Sequence, residues 1–427
     1  MITEELEDIL IERILQRQIK ANEKILKAIG EVLGEIGDIN PSEAYKIGQM
    51  LKYGESLDKI VKILADASQL TELEIYEMLE KEAKMNLGFS KKYFKAKKID
   101  FIPYEKNIAL QNKVQEIAIS TIGTYRNISR TTGIAYLDKY GNRVVKPIRE
   151  AYNEIVDKAI YDVSMGKETF YEALKKQLHV IGQNGIQSIE YESGYHRRID
   201  SALRMNLADG LNSLSMAQQE IVGEQFGADG VEITVHELPA EDHKNVQGHI
   251  FTKEEFARLQ NEGMAHDINN KFYDLHTKYD TFRAIGTCNC YHSVFSIVIG
   301  IDEPRYTQEE LDKINERNEK GFDFEGKHFT LYEGSQLQRR MELELRKNYE
   351  EKLTYKSALD NIKSEDNISR IQKEDKLKKI LLKLDKKEAI LISKYDELSK
   401  VSGLPTKWER TRNLIKWILL NFNIVLY

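Results

Sequence analysis

The sequence predicts a mainly α-helical protein carrying one small α+β module, and three observations carry that prediction. Only 6 of 427 residues are proline, which favours long helices over a β-sandwich or a proline-rich linker. Apolar residues recur at i, i+3 and i+4 through most of the chain, as on the buried face of a helix. Near Gly227 the period changes to alternation, the pattern of half-buried strands. The organisation expected is a helical N-terminal region over 1–106, a second helical region over 107–226, a compact α+β module over 227–335, and a charged helical C-terminal arm over 336–427.

In the first region Leu6, Ile9, Leu10, Ile14, Ile25, Ile29, Val32, Leu33 and Ile36 mark a helical stripe. Asn40, Pro41 and Glu43 form a helix-start signal. Thr71 and Glu74 form a second capping box, with Gly88 as the C-cap of the helix it opens. Short helices in a small bundle are therefore expected. Lys91, Lys92, Lys95, Lys97 and Lys98 surround Tyr93 and Phe94. Such a cluster reads first as the solvated face of a helix whose aromatics point inward; the alternatives are a grip on a phosphate backbone and a contact with an acidic protein partner.

From 107 to about 220 helices resume, interrupted by a turn at Asp138–Asn142 and a break at Gly182–Gly185. Pro147 opens a helix that Gly166 closes. Arg197, Arg198 and Arg204 lie on or near the polar side of a helix from about His196 to Glu220, as phosphate contacts or as ordinary ion pairs. Gly230–His236 and Ser293–Gly300 read as strands, and Phe322–Tyr332 as a hairpin around Glu325-Gly326. Beyond Ser335 helix returns, with a hinge at 360–369 and an amphipathic arm that pairs with another helix or lies on a partner.

Composition excludes several classes. Lysine and arginine total 63 against 69 acidic residues, a net charge of −6, so the chain is no polycation. Two cysteines cannot build a disulfide framework, and reduced thiols are expected. The start is acidic, unlike a signal peptide, and no apolar run is long enough to span a bilayer. The apolar tail Trp417–Tyr427 suits docking on a partner or a core. Neither a phosphate-binding G-x-x-x-x-G-K-[ST] loop nor a G-x-S-x-G elbow occurs, and a non-enzymatic protein is expected.

Chemistry concentrates between 236 and 292, which holds six of nine histidines and both cysteines. His236, Asp242, His243, Cys290 and His292 are the candidates for a structural or metal-binding cluster. No cofactor is expected. Structural zinc is one alternative, hydrogen bonding that fastens the module is another, and a metal-dependent nuclease using His236, Asp242, His243 and His292 is a third.

The same region resembles the minor capsid, or head-morphogenesis, proteins of tailed bacteriophages and prophages. The resemblance rests on Tyr191–Arg204, on Glu224–His236, on Asp242-His243 with Gln247-Gly248, on Gly286–His292, and on Pro304–Leu311 and Tyr332–Arg339. His249 and Cys288 depart from the family pattern. The resemblance implies a low-copy virion protein at the portal vertex inside the capsid, present in the host cytoplasm during assembly. It implies the portal protein as partner, double-stranded DNA during packaging or ejection, and the major capsid or scaffolding protein as further partners; the lack of a spanning apolar run separately leads to the expectation of no membrane contact.

Overall fold

The computed structural model describes residues 4–35, 43–138, 140–164, 170–189, 196–278, 280–288, 290–362 and 367–411. Ten α-helices and a few small antiparallel sheets are present among them, so the protein is mainly α with a small α+β part. Ile36, Asn40 to Ser42, Gly166, Tyr191 to Tyr195 and the tail from Trp417 lie outside the described residues.

The first two helices are long. Helix α1 spans Glu4–Glu35 and α2 spans Glu43–Lys97. The expected bundle of short N-terminal helices is thereby corrected. Thr71 does not cap a helix: its hydroxyl donates to the carbonyl of Ala67, one turn back within α2. Gly88 lies inside α2 and closes nothing. The reason is the apolar stripe, which continues through Ile60, Ile75, Met78, Leu79, Ala83 and Leu87, all buried. A capping box acts only where the backbone leaves helical angles, and a lone interior glycine costs only about 1 kcal/mol.

The chain divides into two units. One comprises residues 1–14, 72–125 and 203–336; the other comprises 15–71, 126–202 and 337–427. Helix α3 (Ile108–Arg130) supplies residues to both.

The second unit contains a sheet that the sequence does not announce. Strands β1 (Thr132–Leu137) and β2 (Arg143–Pro147) form a hairpin over the expected Asp138 turn. The Asp138 carboxylate accepts from the amides of Tyr140 and Asn142 at 2.8 and 2.9 Å. Helices α4 (Ile148–Ser164) and α5 (Phe170–Asn184) follow, then β3 (Ile186–Ile189) and β4 (His196–Arg198). The order is β2-β1-β3-β4, antiparallel throughout. The region over 107–226 is thus not helical throughout. Gly185, at φ +61°, is the residue that ends α5. Ile134, Tyr136, Ile155, Leu178, Ile181 and Ile186 enter one core with Ile25, Ile29 and Leu33. Arg198 is enclosed by Glu350 and Asp200, so it serves as a buried ion pair.

Helix α6 (Ile199–Glu224) leads into the α+β module of the first unit. Arg204 near its start pairs with Asp8 and Glu12, again an ion pair. Strand β5 (Gly230–Ile233) is followed by β6 (Ile250–Thr252), α7 (Lys253–Glu262), β7 (Met264–His266) and β8 (Phe272–Asp274). Strand β9 (Val294–Ile297) then pairs with β5, giving the order β6-β5-β9. Both expected strands are present, each shorter than the sequence pattern. Helix α8 (Gln308–Lys320) opens on a capping box, Thr307 with Glu310. Strands β10 (Phe322–Phe324) and β11 (Lys327–Phe329) form the expected hairpin, with positive φ at Glu325 and Gly326. That pair of angles matches the right-handed twist of the flanking strands.

Helix α9 (Leu331–Asp360) and helix α10 (Asn367–Ser402) complete the chain order, and the break between them falls at the expected hinge. In the second unit α10 lays Leu377 and Leu384 into the core and Tyr395 against Trp408. The expected pairing of the arm with another helix is seen in Asn348 of α9, which donates to the carbonyl of Leu384 at 3.1 Å.

Candidate functional site

Two loops build the cluster. The first leaves β5 at Ile233 and returns at His249; Gly248 donates its amide to the carbonyl of Ile233 at 2.9 Å. Gly248 holds φ +74°, and a Cβ there would meet Leu311 at 2.6 Å. The second loop precedes β9. Gly286, at φ +82°, starts a turn in which the Cys290 amide donates to the Thr287 carbonyl at 3.1 Å. Asn212 on α6 donates to the Cys290 carbonyl and ties this loop to the helix.

These loops bring His243, Cys290 and His292 together, with one donor atom of each within 4.8 Å of the others. The Cys290 sulfur lies 3.3 Å from His243 Nδ1 and 3.3 Å from His292 Nδ1. All three residues are buried. Burial pushes both imidazoles below the usual histidine range, His292 furthest, with His243 and His236 adding to its shift. Burial also pushes the Cys290 thiol up. Burial therefore favours the neutral form of all three groups.

The outer contacts are specific. His243 Nε2 faces the Arg283 carbonyl at 2.8 Å, and His292 Nε2 faces Gln247 Oε1 at 3.0 Å. The same oxygen accepts from the His236 amide at 2.9 Å. Asp242 accepts two bonds from the Arg283 guanidinium, at 2.8 and 3.1 Å.

Of the five sequence candidates the structure joins three. His236 stacks on Tyr291 with centroids 5.4 Å apart, and its Nδ1 accepts from the Leu238 amide. Asp242 is engaged by Arg283, one position away from the sulfur–nitrogen group. Gln247 is visible in the sequence only as part of the Gln-Gly element, and Arg283 and Asn212 carry no signal there, because each acts through loop geometry. Cys288 is exposed at φ +55°, apart from the buried Cys290.

The lysine cluster resolves by residue. Phe94 is buried against Phe101. Lys97 pairs with Asp302. Lys91 lies 5.6 Å from the centre of the Phe101 ring, and Lys95 and Lys98 are exposed. The side chains of Lys92 and Tyr93 are not among those described. A second basic surface, which no sequence motif marks, lies on α10. There Lys383, Lys386, Lys387, Ile390, Leu391 and Lys394 line one shallow groove. Among the described residues no helix is long and apolar enough to cross a membrane.

A family model described as phage minor capsid protein 2 matches residues 8–381. The chain belongs to this family. The match runs through both units and includes the whole His243–Cys290–His292 cluster. No curated protein and no solved structure matches it. As a phage minor capsid protein it is a structural component of the virion.

Proposed function

We propose that this minor capsid protein docks on the portal protein inside the head, at the portal vertex, and contacts double-stranded DNA during packaging or ejection. It acts by binding, without catalysis, after meeting its partners in the host cytoplasm.

The observation that carries the proposal is the outer face of α10. Ile368, Ile371, Leu382 and Ile390 are each more than half exposed. At about 100° per residue these four fall within an arc of roughly 100°. The core-facing Leu377, Leu384 and Tyr395 fall on the opposite side. The helix thus has two apolar faces, one packed and one exposed, and the exposed one carries the lysine groove. An apolar stripe flanked by lysines suits an acidic protein surface with apolar pockets. Further contacts from the major capsid or scaffolding protein would add to the same docking by raising effective concentration.

Exposed Lys91, Lys95 and Lys98 support the DNA contact. The nuclease alternative needs Asp242 and His243 open to a phosphodiester. Asp242 is held by Arg283 and His243 is fully buried, so the geometry does not favour it.

The test is co-expression with the portal protein from the same phage, followed by native mass of the purified eluate. A discrete complex with a few chains per portal ring supports the proposal. Separate species at both low and moderate salt would overturn it.

A further inference from the structure

We propose that His243, Cys290 and His292 bind one soft divalent transition-metal ion of the zinc class, and that this ion staples the two loops of the α+β module. Such a site is independent of whether the chain meets a portal.

Proton positions leave the cluster one hydrogen short. The Arg283 carbonyl can only accept, so His243 Nε2 carries the hydrogen. Its Nδ1 is then a bare lone pair facing the Cys290 sulfur. Gln247 Oε1 receives the His236 amide, which can only donate, and this identifies it as the oxygen end of the side chain. His292 Nε2 must therefore carry its hydrogen too, and Nδ1 is again a bare lone pair facing the same sulfur. A thiol has one proton and satisfies one of these two lone pairs. The other is left buried against a sulfur lone pair, an arrangement that costs free energy. A cation in place of the thiol proton satisfies all three donors together.

The sulfur–nitrogen dimensions agree. Zinc–sulfur bonds of about 2.3 Å and zinc–nitrogen bonds of about 2.0–2.1 Å at tetrahedral angles set the ligands roughly 3.3–3.6 Å apart. Both sulfur–nitrogen separations are 3.3 Å, within a few tenths of the need. The donor set is two imidazoles and one thiolate, which favours zinc or cobalt over magnesium or calcium. Each histidine already has its outer nitrogen held by an oxygen, the support that metal-bound histidines require. The His292 amide donates to the sulfur at 3.4 Å, which stabilises a thiolate. Loading transfers the thiol proton to solvent and forms one sulfur–metal and two nitrogen–metal bonds, leaving a fourth position for a non-protein ligand.

The experiment uses the full chain, produced without a polyhistidine tag in zinc-supplemented medium. After dialysis, elemental analysis is expected to find about one zinc per chain. Chelator-treated protein is then titrated with Co²⁺, whose thiolate charge-transfer band reports sulfur ligation. The band should persist in Cys288→Ser and vanish in Cys290→Ser, with circular dichroism confirming the fold of each. Should Cys290→Ser fail to fold, the wild-type and Cys288→Ser spectra still decide. Folded wild type with less than about a tenth of an equivalent of zinc and no cobalt band would overturn the proposal, since a built site holds its ion through dialysis. A band lost in Cys288→Ser would overturn it as well.

Discussion

His243 Nδ1 lies 3.3 Å from the sulfur of Cys290, although 47 residues separate them in the chain. Two loops, one after β5 and one before β9, are closed on each other at that point. What holds the loops is therefore as informative as what the cluster binds.

Arg283 is one such holder, because its carbonyl meets His243 and its guanidinium meets Asp242. Replacing it with methionine keeps the carbonyl and removes the ion pair. The expected loss of stability is about 1.5–3 kcal/mol, the range for hydrogen bonds to a charged group. Urea unfolding of Arg283→Met, Asp242→Asn and the double variant measures it. Additive effects of the two single changes would show that the pair is not coupled.

Glycine separates two kinds of helix position. At Gly34 a Cβ would press on Ala358, with its Cα at 2.8 Å. At Gly88 a Cβ would meet nothing within 4 Å. Gly88→Ala should raise stability by about 0.5–1 kcal/mol through helix propensity, as befits a continuous α2. Gly34→Ala gains the same propensity and incurs an overpacking penalty of about 1–3 kcal/mol, so it should destabilise. Thermal melts of both variants check the signs. A destabilised Gly88→Ala would mean that α2 ends there.

His249 gives a pH signature. Burial and the neighbouring Lys271 hold its imidazole below the usual range, against the opposing pull of Asp267. The folded protein thus keeps it neutral while the unfolded chain protonates as pH falls through about 6.5. The stability from the neutral form is complete above that pH and is lost below it. His249→Gln should lose less melting temperature than wild type between about pH 7.5 and 5.5. Groups common to both proteins cancel in the comparison. Parallel curves would contradict the assignment.

The lysines make a prediction about salt. Changing Lys91, Lys95 and Lys98 to glutamine should weaken duplex DNA binding and lower the slope of log affinity against log salt by about 0.9 for each phosphate no longer neutralised. Lys97→Gln should change the slope least, because Asp302 already engages that side chain. Fluorescence anisotropy at several salt concentrations measures both. An unchanged slope in the triple variant would remove DNA from this surface.

Much of the fold is legible in local pattern. The alternation at Gly230–Ile233, the β-branched run at Val294–Ile297 and the Glu325-Gly326 turn each carry their own signal, and each is where the pattern puts it, although β5 is buried on both faces rather than half-buried, because the Glu232 carboxylate is taken up by the amide and guanidinium of Arg305. The sheet of β1 to β4 is not legible. Its turn at Asp138 is plain, but Thr132–Tyr136 is buried without a break and the strand lacks alternation. A short continuous apolar run does not distinguish strand from helix. The Thr71 capping box misleads because a cap sequence can lie unused inside a helix whose apolar stripe continues. At the cluster, residue chemistry points to His243, Cys290 and His292. Spacing cannot reveal that Asp242 belongs to Arg283, since the two are 41 positions apart with no pattern linking them.

The most direct measurement of docking is cross-linking mass spectrometry on heads assembled from the phage's own capsid, portal and this chain. Lys383, Lys386 or Lys394 on α10 is expected to link to the portal protein, and an Ile390→Glu, Leu382→Glu variant is expected to be depleted from heads while remaining folded. Heads in which α10 links only to the major capsid protein, or in which the double variant is incorporated at the wild-type level, would contradict portal docking through this helix.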